Sequence, residues 1–276
     1  MAFLKNFSFQ LYLFMNKFWS VFHRVFFMFL LGTGNVNAAV TAGYDFQVNA
    51  STDSDEDNRW EDSVGSSGFE LLLDNSPAVS RTSVSIATSK FTHAYNFPGG
   101  STGNEAGALL VSAGTTTHKS FRNSPNRWTD EDTSFEIWFK PDNLNPSPAN
   151  GQILFEDGGA HGSGLFLDGN LLRFRTIKDG TAGDANYNLS TDPSNLIEGN
   201  ATNDFIQAVA IYNTSNTSVQ LYINGSMVST HNSGGTEWSG TDNFGLGTLG
   251  GSHAGGIGNG QQNTESFDGK IALFRI

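Results

Sequence analysis

Ser134-Phe135-Glu136-Ile137-Trp138-Phe139-Lys140 is the stretch on which the reading of the fold turns. Phe135, Ile137 and Phe139 alternate with Glu136, Trp138 and Lys140, and in an extended chain this period of two sends the two sets to opposite faces. The stretch therefore reads as a half-buried strand. Thr217-Ser218-Val219-Gln220-Leu221-Tyr222-Ile223 repeats the pattern. Further runs of strand length are Phe69 to Leu73, Ala108 to Val111, Gln152 to Glu156, Leu165 to Leu167, Leu171 to Arg175, Phe205 to Tyr212, Met227 to Thr230 and Lys270 to Ile276. No segment carries the three-to-four spacing of an amphipathic helix.

Between these runs lie turn signals at the intervals an all-β sandwich needs. Asp168-Gly169 is read as joining Gly164–Leu167 to Asn170–Arg175, and Asn224-Gly225 as joining Val219–Ile223 to Ser226–Thr230. Both dipeptides suit a two-residue hairpin whose central residues take positive φ. Most of the 32 glycines fall in loops. There is no internal repeat, linker or second domain. Thr52 to Trp60 reads as a polar, mobile loop, and its acidic run Asp53 to Asp57 as solvated.

The N-terminus carries its charges as Lys5, Lys17 and Arg24 and then runs apolar from Val25 to Leu31. A charged n-region, a short h-region and the small residues at Ala38 and Ala39 form a signal-peptide pattern, with residues 1–38 removed and Met15 an alternative start. His23 and Arg24 leave the apolar run well short of the roughly 20 residues a bilayer requires. The mature domain, residues 39–276, is expected to be secreted or held at the cell surface without inserting into the membrane.

Removing Lys5, Lys17 and Arg24 takes the formal charge from −12 to −15. Such an acidic chain is a poor partner for nucleic acid. Cysteine is absent, which excludes disulfides, thiolate nucleophiles and cysteine metal sites. An exported domain without cysteine reads as bacterial and must rely on its core for stability. Asn-x-Ser/Thr triplets, as at Asn49 and Asn224, are read as turn chemistry in a chain rich in these residues.

From Phe135 to Ile276 the chain resembles the LamG-like jelly-roll domains of the concanavalin A-like lectin and glucanase superfamily. The pieces follow in order: SFEIWFKPDNL at 134–144, GQILFEDGG at 151–159, GLFLDGNLLRFR at 164–175, FIQAVAIY at 205–212 followed by VQLYINGSMV at 219–228, and FDGKIALFRI at 267–276. Residues Tyr44 to Val111 match only as the N-terminal strands such a sandwich pairs with its closing strand. The resemblance implies an all-β fold, two antiparallel sheets in a jelly-roll sandwich, with ligands met on a sheet face or at the loop rim. Family members usually continue past the closing strand, so the C-terminus is expected to be truncated.

The superfamily spans lectins, adhesion modules and glycosidases, and function must come from the site. A glycosidase needs two carboxylates about 5–10 Å apart, which on one strand means alternate residues. Glu136 has instead Trp138 and Lys140 on its face, and Asp130-Glu131-Asp132 precedes the strand. The scattered histidines offer no zinc spacing, and no Gly-x-Ser-x-Gly elbow occurs. Gly255 to Gly260 follows no βα unit and reads as a flexible loop.

LamG-like domains often carry calcium, and Asp157 and Asp242 are the candidate ligands among loop oxygens. Either residue serves equally as a turn former. For carbohydrate, Trp238, in the loop Glu237-Trp238-Ser239-Gly240, and Trp138, on the alternate face of its strand, are the candidate stacking residues, with core packing the other reading for each. The leading expectation is a non-catalytic binding module for carbohydrate or an extracellular protein partner. A structural component of the cell envelope or matrix and a divergent glycoside hydrolase are the alternatives.

Overall fold

The computed structural model describes residues 46–53, 57–64, 67–73, 78–84, 91–100, 107–121, 132–142, 152–158, 162–168, 171–178, 181–188, 205–213, 218–232, 243–248 and 265–276. All belong to the compact unit Tyr44–Ile276. The leading unit, Met1–Gly43, which contains the expected signal peptide, lies outside the described residues.

The described residues form strands and no α-helix. In chain order they are β1 (Gln47–Asn49), β2 (Arg59–Glu61), β3 (Phe69–Leu73), β4 (Ser80–Ser83), β5 (His93–Gly100) and β6 (Ala108–Ser112). Next come β7 (Thr133–Pro141), β8 (Gln152–Asp157), β9 (Ser163–Asp168), β10 (Leu171–Lys178) and β11 (Thr181–Asn188). The chain closes with β12 (Ile206–Asn213), β13 (Ser218–Ile223), β14 (Ser226–His231), β15 (Gly245–Leu246) and β16 (Glu265–Arg275).

Every run expected from alternation is a strand. Pairing is antiparallel except where β16 meets β8 in parallel, through Glu265↔Gln152 and Ser266↔Ile153. That short joint divides the ladder into two sheets. The first runs β14-β13-β12-β7-β16, with β5 and β1 along the other side of β16 and β4 beyond β5. The second runs β2-β3-β6-β15-β8-β9-β10-β11.

The alternation in β7 decides how the sheets meet. Phe135, Ile137 and Phe139 are at most 1 % exposed and point at the second sheet. The Phe135 ring stacks on Phe155 of β8 at 4.9 Å, and Phe155 lies 5.5 Å from Phe274 of β16. Phe244, just before β15, completes the layer 5.1 Å from Phe274 and 4.6 Å from Phe121. Burying each such side chain contributes about 1.5–3 kcal/mol. In a chain without cysteine this aromatic layer takes the place of cross-links.

The N-terminal strands complete the sandwich as expected. Gln47, Val48 and Asn49 of β1 pair with Arg275, Phe274 and Leu273, while Tyr95 to Gly100 of β5 run along the first half of β16. At the β13–β14 hairpin, Asn224 and Gly225 have φ of 49° and 82°, the left-handed pair that this turn demands. The β9–β10 hairpin differs from its expected form. Asp168 pairs with Leu171 and is therefore a strand residue and not part of the turn.

The described ends of Thr52 to Trp60 differ from the mobile, solvated loop expected there, while Asp57 is exposed as expected. Arg59–Glu61 is strand β2, with Trp60 fully buried, and Asp53 is buried rather than solvated. Trp60 packs against Tyr95, whose hydroxyl donates to Asp53, so both described ends of the segment meet the same core residue.

Candidate functional site

The outer face of the first sheet holds the side chains that alternate away from the phenylalanines. Strand register arranges them in a row: Met227 of β14 pairs with Tyr222 of β13, Tyr222 with Val209 of β12, and Val209 with Glu136 of β7. Glu136 pairs in turn with Arg275 of β16, and Arg275 with Gln47 of β1. With strands about 4.8 Å apart, a row of six spans roughly 24 Å.

Glu136 anchors this row. Its Oε1 accepts Trp138 Nε1 and Gln207 Nε2, both at 2.7 Å. Its Oε2 accepts Arg275 Nε at 2.7 Å and lies 2.5 Å from the Arg275 Nη2 atom. Both partners are largely out of water, the side chains retaining 10 % and 17 % exposure. A carboxylate so placed persists because its charge is paired and its lone pairs are occupied. The same bonds hold the carboxylate in one orientation.

Trp138 lies on the face expected of it and is half-buried. Its indole meets the Phe91 ring edge-on at 5.3 Å, and Phe91 meets Phe205 at 5.5 Å. With Ala94, Ala272 and Leu273 these rings form a small apolar cluster on the outer face. Packing holds one part of Trp138 and Glu136 holds its N–H. Trp238, the other stacking candidate, and Asp242, the second calcium candidate, lie outside the described residues.

Asp157 ends β8 and is fully buried. Register sets Ser163 of β9 opposite it and Thr176 of β10 one strand further, both at most 1 % exposed. Calcium takes six to eight oxygen ligands, several of them carboxylates. Among the described residues no three His, Cys, Asp or Glu side chains gather to hold a metal. The described part of the chain thus supplies Asp157 without completing a calcium shell around it.

Alternation in β13 and β14 exposes the other end of the row. Met227 is 56 % exposed, the one large apolar side chain so placed among the described residues. Tyr222 is half-buried beside it, its hydroxyl donating to Gln220 Oε1 at 3.2 Å. The signal was present in Tyr222-Ile223-Asn224-Gly225-Ser226-Met227, because the hairpin turn dictates the pairing of Tyr222 with Met227.

A second polar centre lies near the N-terminal strands. The Tyr95 hydroxyl donates to Asp53 Oδ2, and the Tyr95 ring lies 4.6 Å from Trp60. Burial, then the hydrogen bond to Asp53 and the negative charges of Asp53 and Glu61, push the Tyr95 phenol far above its ordinary range, against a smaller opposing pull from Arg81. Arg81 Nε donates to the Ala50 carbonyl at 2.9 Å, tying β1 to β4.

No curated protein matches the chain. Among solved structures it is similar to the binding domain of botulinum neurotoxin DC in complex with rat synaptotagmin II, with TM-score 0.53, 14 % identity, and coverage of 86 % of this chain and 49 % of that one. The same binding domain in complex with "SialylT" gives 0.52, 13 %, 86 % and 48 %. The serotype G binding domain gives 0.53, 11 %, 84 % and 47 %. At these identities the likeness is one of fold, and the chain spans about half the length of those structures. The laminin G family model, described as the concanavalin A-like lectin/glucanases superfamily, matches residues 113–276, beginning upstream of the motifs that carry the resemblance. The chain belongs to the concanavalin A-like lectin/glucanases superfamily.

Proposed function

We propose that this protein is a secreted or surface-displayed binding module that recognises carbohydrate or an extracellular protein partner and catalyses no reaction. The observation carrying the proposal is the state of Glu136. The carboxylate at the centre of the outer face accepts bonds from Trp138, Gln207 and Arg275, which suits a rigid recognition surface and not acid–base chemistry. Superfamily membership supports a binding module. So do the similar botulinum neurotoxin binding domains, whose structures contain synaptotagmin II in one case and "SialylT" in another.

Trp138 and Trp238 are the proposed ligand-stacking residues, and calcium held through Asp157 and Asp242 is a proposed structural ion. Retention of the protein on immobilised polysaccharides, lost on adding a chelator or in Trp238→Ala, is the result expected of a calcium-supported carbohydrate module. Failure to be retained on any glycan, with tight association to cell-envelope material, would instead favour a structural component.

A further inference from the structure

The part of the outer face formed by β12, β13 and β14 carries a site of its own. Its outward side chains include Gln207, Val209 and Ile211 of β12, Gln220 and Tyr222 of β13, and Met227 of β14. None is charged, although the protein carries a net charge of −12. The nearest charges in the row, Glu136 and Arg275, neutralise each other. We infer that a neutral glycan chain lies across these three strands, with one sugar ring stacked on Tyr222. This deepens the proposed binding function and rests on it.

Four observations select that occupant. Tyr222 is a half-buried aromatic side chain on the outward register of β13, a residue type that stacks on the C–H face of a pyranose, and its hydroxyl, bonded to Gln220, holds the Gln220 amide beside it. Gln207 gives one N–H to Glu136 and the Gln220 carbonyl accepts from Tyr222, which leaves each amide further donor and acceptor capacity for sugar hydroxyls, and neither attracts an ion. A protein partner would need a desolvated apolar centre in an interface of about 800 Å² per side, whereas Met227 is the one exposed large apolar side chain among the described residues. An anionic polymer would meet the field of an acidic protein, with no lysine or arginine among the described outward residues of the patch to offset it.

The test is affinity electrophoresis of the whole protein through gels containing mixed-linkage β-glucan, xylan, galactomannan or polygalacturonate. The wild type should be retarded by at least one neutral polymer. Tyr222→Ala should weaken that retardation on the order of tenfold. Tyr222→Phe, which keeps the ring, should stay within a few-fold of wild type, and matching melting curves for the variants exclude misfolding. Undiminished retardation of Tyr222→Ala and Gln220→Ala, or retardation by polygalacturonate alone, would overturn this site while leaving a binding module in place. A wild type retained by no polysaccharide, or only by an immobilised protein, would overturn the carbohydrate reading and this inference together.

Discussion

Arg275 and Glu136 face each other in register across β16 and β7, with Arg275 Nε 2.7 Å from Glu136 Oε2. Because both side chains are mostly withdrawn from water, Arg275→Met leaves a buried carboxylate without its cation and should cost about 3–5 kcal/mol of stability. Adding Glu136→Gln to that variant should recover a large part of the loss. Urea denaturation of the two single variants and the double variant measures the coupling. Additive losses would show that the pair does not hold the face together.

Tyr95 sets an alkaline limit. Its phenol is held protonated in the fold, above the value near 10 of an unfolded tyrosine, so the unfolded chain releases a proton that the folded chain keeps. The resulting stabilisation is complete below about pH 10 and is lost as pH rises past it. Denaturation at a series of pH values should show this decline in the wild type and a smaller one in Tyr95→Phe. At neutral pH the same substitution removes the donor to buried Asp53 and should cost about 1–3 kcal/mol.

Phe155 is the centre of the aromatic layer, within 6.5 Å of the rings of Phe135, Phe174, Phe244 and Phe274. Phe155→Ala should lower stability by about 3–5 kcal/mol, and Phe155→Leu by clearly less, measured as shifts in the denaturation midpoint.

Gly269 is required where β16 passes β7. Its φ is 151°, and an added Cβ would lie 2.4 Å from the Lys140 carbonyl oxygen and 2.7 Å from the Phe267 ring. Gly269→Ala therefore combines backbone strain with a clash against backbone and should cost about 1–3 kcal/mol or more. A melting temperature equal to wild type would contradict the described path of β16.

The proposed calcium binding through Asp157 and Asp242 makes a thermal prediction. An ion that binds only the folded state raises its stability by about 2.7 kcal/mol at a concentration 100 times the dissociation constant. Melting with calcium and with chelator should then differ in the wild type and coincide in Asp242→Asn. Coincident wild-type curves would remove calcium from the account.

The strands legible in advance were runs of apolar residues, alternating in β7 and β13 and continuous in β8 and β9. The ones that escaped had other chemistry. Strand β11, Thr181–Asn188, contains only Ala182, Ala185 and Tyr187 as hydrophobic residues, and β5 carries Pro98 and Gly99, which ordinarily speak against a strand. Strands β1, β2 and β15 are two or three residues long and exist through their partners.

The site divides in the same way. That Glu136 and Trp138 share a face follows from their spacing. That Arg275 reaches Glu136 across 139 residues of chain follows only from the register of the closing strand. Tyr222 and Met227 were within reach of the sequence, since the Asn-Gly turn pairs them, but neither is a residue type that marks a site by itself.

The most direct test of the account follows retention and hydrolysis in one experiment, passing the protein over a set of immobilised polysaccharides while assaying reducing sugar in the eluate. A binding module should be retained by at least one polysaccharide and release no sugar from any. Release of reducing sugar that disappears in Glu136→Gln would contradict the account, because it would make the bonded carboxylate on the outer face a catalytic group.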